Sequence, residues 1–138
     1  MLTRAVFALV LCLGAPAVAA AETKVLALGL TDHEVSQEEL EKAAALPAPR
    51  FNSGAIAYVL AAEVKKGDLV EITLVKDGEP LMGNSETLAE DRERYLLQAG
   101  KRGVPAGGWP DGKYQAAVKI TRDGKAIIEQ SSTAIPFE

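Results

Sequence analysis

The sequence predicts an all-β fold, an antiparallel β-sandwich of about seven short strands. Apolar and polar residues alternate along several stretches, and such alternation places successive side chains on opposite faces of a strand. Turn sequences separate these stretches, most clearly at Asp77-Gly78 and Asp123-Gly124. An Asp-Gly pair between two alternating stretches is typical of a tight hairpin, because both positions tolerate a positive φ.

Four stretches alternate clearly enough to predict which residues share a face. Stretch 113–121 carries apolar residues on one face and mostly Lys, Gln and Thr on the other, which is typical of a half-buried antiparallel strand. Stretch 68–76 has the same pattern, and two further strands are indicated earlier in the chain. The apolar residues expected to share a face are Tyr114, Ala116, Val118 and Ile120; Val70, Ile72 and Leu74; Ile56, Tyr58 and Leu60; and Leu26, Leu28 and Leu30.

Two segments do not follow this alternation. Ser36 and Glu39 form a capping-box pattern, and apolar residues follow at helical spacing. We therefore expect a short helix within residues 36–46. Residues 84–99 fit either a helix or a strand, and the neighbouring antiparallel strands favour a strand over residues 92–99.

The first twenty residues have the three parts of a cleavable secretory signal. Arg4 supplies positive charge, residues 5–13 are apolar, and small residues at the end provide a cleavage position. The apolar run is shorter than the roughly 20 residues that span a bilayer, so we expect no stable membrane insertion after cleavage. The prediction is a signal peptide, 1–20, and a single domain, 21–138, in the periplasm or outside the cell. An uncleaved N-terminal anchor is the alternative.

Charge and cysteine content exclude several classes of function. The formal net charge is −4, and Lys and Arg occur as pairs such as Lys65-Lys66 without a larger basic cluster, so we expect no nucleic-acid partner. The only cysteine, Cys12, lies in the apolar part of the signal. The exported domain therefore has no disulfide, no thiolate metal ligand and no cysteine nucleophile.

Three features of the second half belong together. They are the entry into a strand at 64–72, the turn at 76–81, and a hairpin formed by 108–114 with 122–125. In these features the chain resembles bacterial extracytoplasmic immunoglobulin-like domains, which implies an immunoglobulin-like sandwich. The Cys pair and the intervening Trp of antibody domains are absent. Such sandwiches serve adhesion, chaperone, assembly and accessory roles, so the resemblance implies a fold and not an activity.

No group of residues forms a recognisable catalytic or metal-binding motif. His33 is the only histidine and lies between Asp32 and Glu34, whereas a transition-metal site usually needs three or four converging ligands. Residues 131–133 supply hydroxyl groups without a GxSxG turn. Carboxylates adjacent in sequence do not face each other across a substrate. We therefore predict no catalytic residue, no metal ligand and no cofactor.

Trp109 is the one residue for which we predict a binding role. It lies in a Gly- and Pro-rich loop, 103–110, which precedes a strand and not the helix that a phosphate-binding loop needs. An exposed tryptophan is a frequent anchor for a protein partner. A buried one would instead close one end of the sandwich core, and the large apolar area of the side chain favours that interpretation.

These observations lead to a hypothesis about function. The predicted export, the sandwich pattern and the lack of a catalytic motif favour a secreted or periplasmic, non-enzymatic immunoglobulin-like module that binds a protein or an envelope component. The alternative is a small carboxylate-dependent hydrolase that acts on envelope polymers. A third interpretation is an accessory domain that fills space in a larger assembly.

Overall fold

A computed structural model describes residues 22–42 and 45–138 of the chain. The predicted signal peptide, residues 1–20, lies outside these described residues. Within them the chain forms seven strands and one short helix. In chain order the elements are β1 (Lys24–Thr31), α1 (Gln37–Glu41), β2 (Ala55–Val64), β3 (Leu69–Lys76), β4 (Glu79–Thr87), β5 (Arg92–Lys101), β6 (Tyr114–Arg122) and β7 (Lys125–Ser131).

The seven strands of the described residues form two antiparallel sheets. One sheet has three strands in the order β1-β2-β5, and the other has four in the order β4-β3-β6-β7. The predicted fold class, an all-β antiparallel sandwich of about seven strands with a short helix, is confirmed. Strand β4 pairs with β3, whereas in constant-type immunoglobulin domains the fourth strand belongs to the other sheet.

The core lies between the two sheets. On β3 and β6, all the apolar residues that alternation predicted to share a face are at most 3% exposed. The facing side of β2 carries Ala57, Val59 and Ala61, which are 0% exposed. These smaller side chains leave room for the larger residues of β3 and β6, so the space between the sheets is filled.

Strand β2 departs from its predicted pattern, because it is buried on both faces. Ile56 and Leu60 point away from the core between the sheets, yet they are only 3% and 2% exposed. The segment between β1 and β2 lies over this outer face, where the backbone of Val35 exchanges two hydrogen bonds, of 2.9 and 2.8 Å, with the side-chain amide of Gln98. Alternation predicted the strand correctly but could not identify which face meets the other sheet.

Strand β1 contains a bulge between Val25 and Ala27. Leu26 is consequently 41% exposed, while Leu28 and Leu30 pack against the core. The expectation that Leu26 shares a face with these two residues is wrong, because the extra residue of a bulge shifts the phase of the alternation.

The structure resolves both segments that interrupted the alternation. Ser36 is the N-cap of α1, and its hydroxyl accepts a hydrogen bond of 3.1 Å from the backbone N–H of Glu39. The helix ends at Glu41, so it occupies the first part of the predicted 36–46 segment. Residues 92–99 form a strand, as the neighbouring strands favoured. No helix in the described part of the chain is long and apolar enough to cross a membrane.

The connections lie at two opposite ends of the sandwich. The turns β2–β3, β4–β5 and β6–β7 lie at one end, together with the start of β1. The β1–β2 connection, the β3–β4 turn, the loop 102–113 and the C-terminal residues 132–138 lie at the other. Trp109 belongs to this second end, which we call the Trp109 end.

Candidate functional site

Three aromatic rings close the core at the Trp109 end. Tyr114 and Phe137 stack with ring centroids 3.9 Å apart and an interplanar angle of 8°. The Trp109 ring is nearly perpendicular to both, with interplanar angles of 82° and 87° and centroid distances of 6.0 and 5.7 Å. Trp109 is only 5% exposed, so its packing is that of a residue that closes the core. A binding role for the small exposed part of Trp109 stays a prediction.

Hydrogen bonds fix the loop that carries Trp109. The indole Nε1 donates to the carbonyl oxygen of Ser53 at 2.8 Å, and the backbone N–H of Trp109 donates to that of Phe51 at 2.8 Å. The Tyr114 hydroxyl donates to the carbonyl oxygen of Pro110 at 2.6 Å, which holds the next residue of the loop. Because these bonds form within the domain itself, little ordering of the loop is needed when a partner binds.

Gly108 allows the loop to approach Phe51 closely. Its φ is 88°, and a Cβ atom at this position would lie 2.8 Å from the ring Cδ2 of Phe51 and 3.0 Å from its carbonyl oxygen. Glycine suits both this backbone conformation and this close approach. The glycine therefore positions the loop, and with it Trp109.

A cleft of about 250 Å³ opens beside Trp109. Strand β4, the ends of β3 and β5 and the loop 102–113 contribute to it. Leu81, which lines the cleft, is 44% exposed. Apolar recesses walled by fixed loops are typical binding sites. The lining residues are Leu81, Met82, Pro105, Trp109 and Pro110, together with Lys76 and Lys101.

The two lysines of the cleft differ in their charge environment. Lys76 Nζ lies 3.0 Å from Asp77 Oδ2, and this hydrogen bond raises the pKa of Lys76. Asp77 also accepts a hydrogen bond of 2.9 Å from the backbone N–H of Lys113, which is the largest cause of its lowered pKa. Lys101, in contrast, has no carboxylate within ion-pair distance among the described residues. The cleft thus carries one uncompensated positive charge.

His33 lies outside this cleft, in the β1–β2 connection. Its Nδ1 is 2.8 Å from Asp32 Oδ1 and its Nε2 is 2.7 Å from Glu39 Oε2. The hydrogen bond with Asp32, followed by that with Glu39, raises the pKa of His33. Both ring nitrogens are therefore engaged by carboxylates, and neither is available to activate a hydroxyl group. In residues 22–42 and 45–138, no three metal-ligating side chains converge.

The outer face of the four-stranded sheet carries carboxylates on separate strands. Glu71 of β3 and Glu129 of β7 both pair in register with Lys119 of β6, which lies between them. A glycosidase needs open space for the sugar between its two carboxylates. Here Lys119 lies in register between the two carboxylates, so opposite charges alternate across the three strands, which favours a role in stabilising the sheet.

A buried ion pair fastens the opposite end of the sandwich. Asp68 is 1% exposed and accepts hydrogen bonds from Arg122 Nε at 2.8 Å, from Arg122 Nη2 at 2.7 Å and from the backbone N–H of Lys65 at 2.9 Å. Arg122 Nη2 also donates to Thr23 Oγ1 at 2.8 Å, which ties the start of β1 to β6. The residues of this pair are satisfied by each other, so we assign them to stability and not to binding.

The sequence pattern points to Trp109 but not to the residues that form the cleft with it. Leu81 lies in a segment without clear alternation, and Lys101, a lysine next to Arg102 at the end of β5, carries little binding signal of its own. One signal was present for Lys101: it is in phase with Tyr95 and Leu97, which face the core, so its side chain leaves the core side of β5 at the Trp109 end.

Comparison with known proteins leaves the cleft as the main guide to function. No protein-family model matches this chain, and neither a curated protein nor a solved structure is significantly similar to it.

Proposed function

We propose that this chain is a secreted or periplasmic, non-enzymatic immunoglobulin-like module that binds a protein of the cell envelope or its surroundings. The binding site in this proposal is the cleft beside Trp109. The resemblance to bacterial extracytoplasmic immunoglobulin-like domains and the signal-like N-terminal segment support export.

One observation carries the proposal, namely that the cleft is apolar and already fixed. Leu81 remains 44% exposed beside a tryptophan that two hydrogen bonds hold in place. Exposing a large apolar side chain to water is unfavourable, and covering it with a partner recovers free energy in proportion to the area removed from water. Because the walls of the cleft are held by contacts within the domain, less of that free energy is lost to ordering.

Selection from a random peptide display library tests the binding site. The library is applied to the exported protein and to two variants with the same chemical change, Leu81→Asp in the cleft and Ile127→Asp on β7. Ile127 is a matched control, since it is 40% exposed and lies at the far edge of the four-stranded sheet. We expect enriched peptides to bind the wild type and Ile127→Asp but to lose at least about tenfold in affinity for Leu81→Asp, because a carboxylate would replace the apolar wall.

Two results would contradict the proposal. Enrichment of no peptide would show that the cleft does not recognise protein segments. Equal binding of enriched peptides to wild type and Leu81→Asp would place the binding surface elsewhere. Circular dichroism of both variants checks that each retains the β-sandwich.

Export is tested separately by expressing the full chain in a bacterial host and sequencing the N-terminus of the protein recovered from the periplasm and the medium. We expect a product that begins just after the predicted signal, residues 1–20. A full-length product retained in the membrane fraction would favour the uncleaved anchor instead.

A further inference from the structure

We propose that the cleft selects peptide segments in which a large apolar side chain stands next to an acidic residue. This inference rests on the proposed function and names the chemistry of its ligand. The apolar side chain would enter the recess beside Leu81 and Trp109, and the carboxylate would pair with Lys101.

The size of the cleft limits the apolar part of the ligand. At about 250 Å³ it is smaller than the clefts of about 300–1,000 Å³ that enclose a drug-sized molecule. One large side chain would therefore fill most of it. The wall formed by Met82 and Trp109 offers polarisable and aromatic surface, which suits an aromatic side chain such as that of Phe.

The charge of the cleft determines the second element of the ligand. Among the residues that the structure describes, no acidic side chain lines the cleft, although the chain as a whole has a formal net charge of −4. Asp77 already compensates Lys76 at 3.0 Å, which leaves Lys101 as the cation available to a partner. A carboxylate beside the anchored side chain would complement this charge, whereas a basic residue there would be repelled.

The positive charge of the cleft also makes an acidic segment prefer the cleft to the rest of this domain's surface. The acidic surface of the domain repels acidic segments elsewhere, so such a segment gains attraction only where the local charge is positive. Specificity then comes from the combination of the two elements, since an apolar side chain alone would bind many partners.

Titration with capped synthetic peptides tests this inference. The peptides share a Gly-Ser background and contain a central Asp-Phe or Phe-Asp, the corresponding Asn-Phe or Phe-Asn, or Asp-Ala. Trp109 is the only tryptophan of the chain and lines the cleft, so its fluorescence reports binding directly. We expect the Asp peptides to bind about fivefold more tightly than the Asn peptides, as a partly exposed ion pair provides, and Asp-Ala to bind more weakly than both.

A charge reversal provides the matched pair of variants. Lys101→Glu should remove the preference for Asp over Asn and bind an additional Lys-Phe peptide more tightly than Asn-Phe. Lys125→Glu on the exposed β7 should leave the order of peptide affinities as in the wild type. Raising the salt concentration should weaken the Asp peptides more than the Asn peptides, because salt screens exposed charges.

The outcomes separate this inference from the function on which it rests. Equal affinities of Asp and Asn peptides would overturn the acidic preference and leave the binding site in place. Binding of all peptides to Leu81→Asp as tightly as to the wild type would overturn both. A response to laurate, without a response to any peptide, would assign the cleft to lipids and overturn the peptide preference.

Discussion

Replacing Asp68 with alanine is expected to destabilise the domain by about 2–3 kcal/mol. The carboxylate is 1% exposed and accepts three hydrogen bonds, two from Arg122 and one from the backbone of Lys65. Removing one partner of a buried ion pair costs about 3–5 kcal/mol, since the other charge is left uncompensated. The Arg122 side chain is 34% exposed, so water can solvate part of its charge, which reduces the expected value to about 2–3 kcal/mol.

The contribution of Asp68 to stability should decrease at low pH. Desolvation, the largest single influence, would raise the pKa of Asp68, but the hydrogen bonds from Arg122 and Lys65 together with their charges outweigh it, so the pKa is lowered. A carboxylate with a lowered pKa in the folded state stabilises the fold fully above its unfolded pKa of about 3.9. That contribution is lost as the pH falls through the folded pKa. The difference in stability between wild type and Asp68→Ala should therefore shrink under acidic conditions.

Urea unfolding, followed by the fluorescence of Trp109, measures both effects. The free energy of unfolding is compared at pH 7 and at several values below pH 5, with Asp111→Ala as an exposed control. A double-mutant cycle with Arg122→Ala separates the pair interaction from the loss of each side chain. A change below about 0.5 kcal/mol at pH 7, or a difference that stays constant in acid, would refute the assignment of this pair to stability.

Three further predictions concern the Trp109 end and the β1–β2 connection. Trp109→Phe should destabilise the domain by about 1–3 kcal/mol in urea unfolding followed by circular dichroism, because the carbonyl oxygen of Ser53 loses its donor, and the emission maximum of the wild type should be clearly blue-shifted from that of the unfolded chain. Gly108→Ala should destabilise by about 1–3 kcal/mol in the same assay, since its φ of 88° and the close approach to Phe51 disfavour a Cβ atom; an unchanged unfolding midpoint would contradict this. His33→Gln should lower stability by less than about 1 kcal/mol, as His33 is 40% exposed. Because the pKa of His33 is raised in the folded state, its contribution to stability should be complete below the unfolded pKa of about 6.5. That contribution should disappear as the pH rises through the folded pKa. Unfolding measured from pH 5 to 9 would show this loss.

The strands could be predicted from sequence wherever one face of a strand meets the core and the other meets water. Strand β6 satisfies this condition, and each of its predicted core residues is buried. Strand β2 does not, because the β1–β2 connection covers its outer face. Both faces of this strand are therefore buried, and both carry apolar residues. At Leu26 a bulge changed the phase, and no local pattern marks a bulge.

The candidate site was less predictable, because its residues come from distant parts of the chain. Leu81 and Lys101 are brought to Trp109 by the pairing of β4 with β3 and of β5 with β2. The Gly-rich composition indicated the loop that carries Trp109. The positions of Leu81 and Lys101 beside it depend on which strands pair. Sequence alone could therefore identify one wall of the cleft and not the cleft itself.

The position of Trp109 has a consequence for how the binding site should be probed. The tryptophan is a wall of the cleft and also part of the aromatic cluster that closes the core, with Tyr114 and Phe137. Replacing it would change stability and binding together, so loss of binding in such a variant would not separate the two roles. Leu81 and Lys101 are exposed and contribute little to the core, so substitutions there act on the partner and not on the fold. Fluorescence of the unmodified Trp109 then reports on the cleft in every variant, which makes the tryptophan more informative as a probe than as a target of mutation.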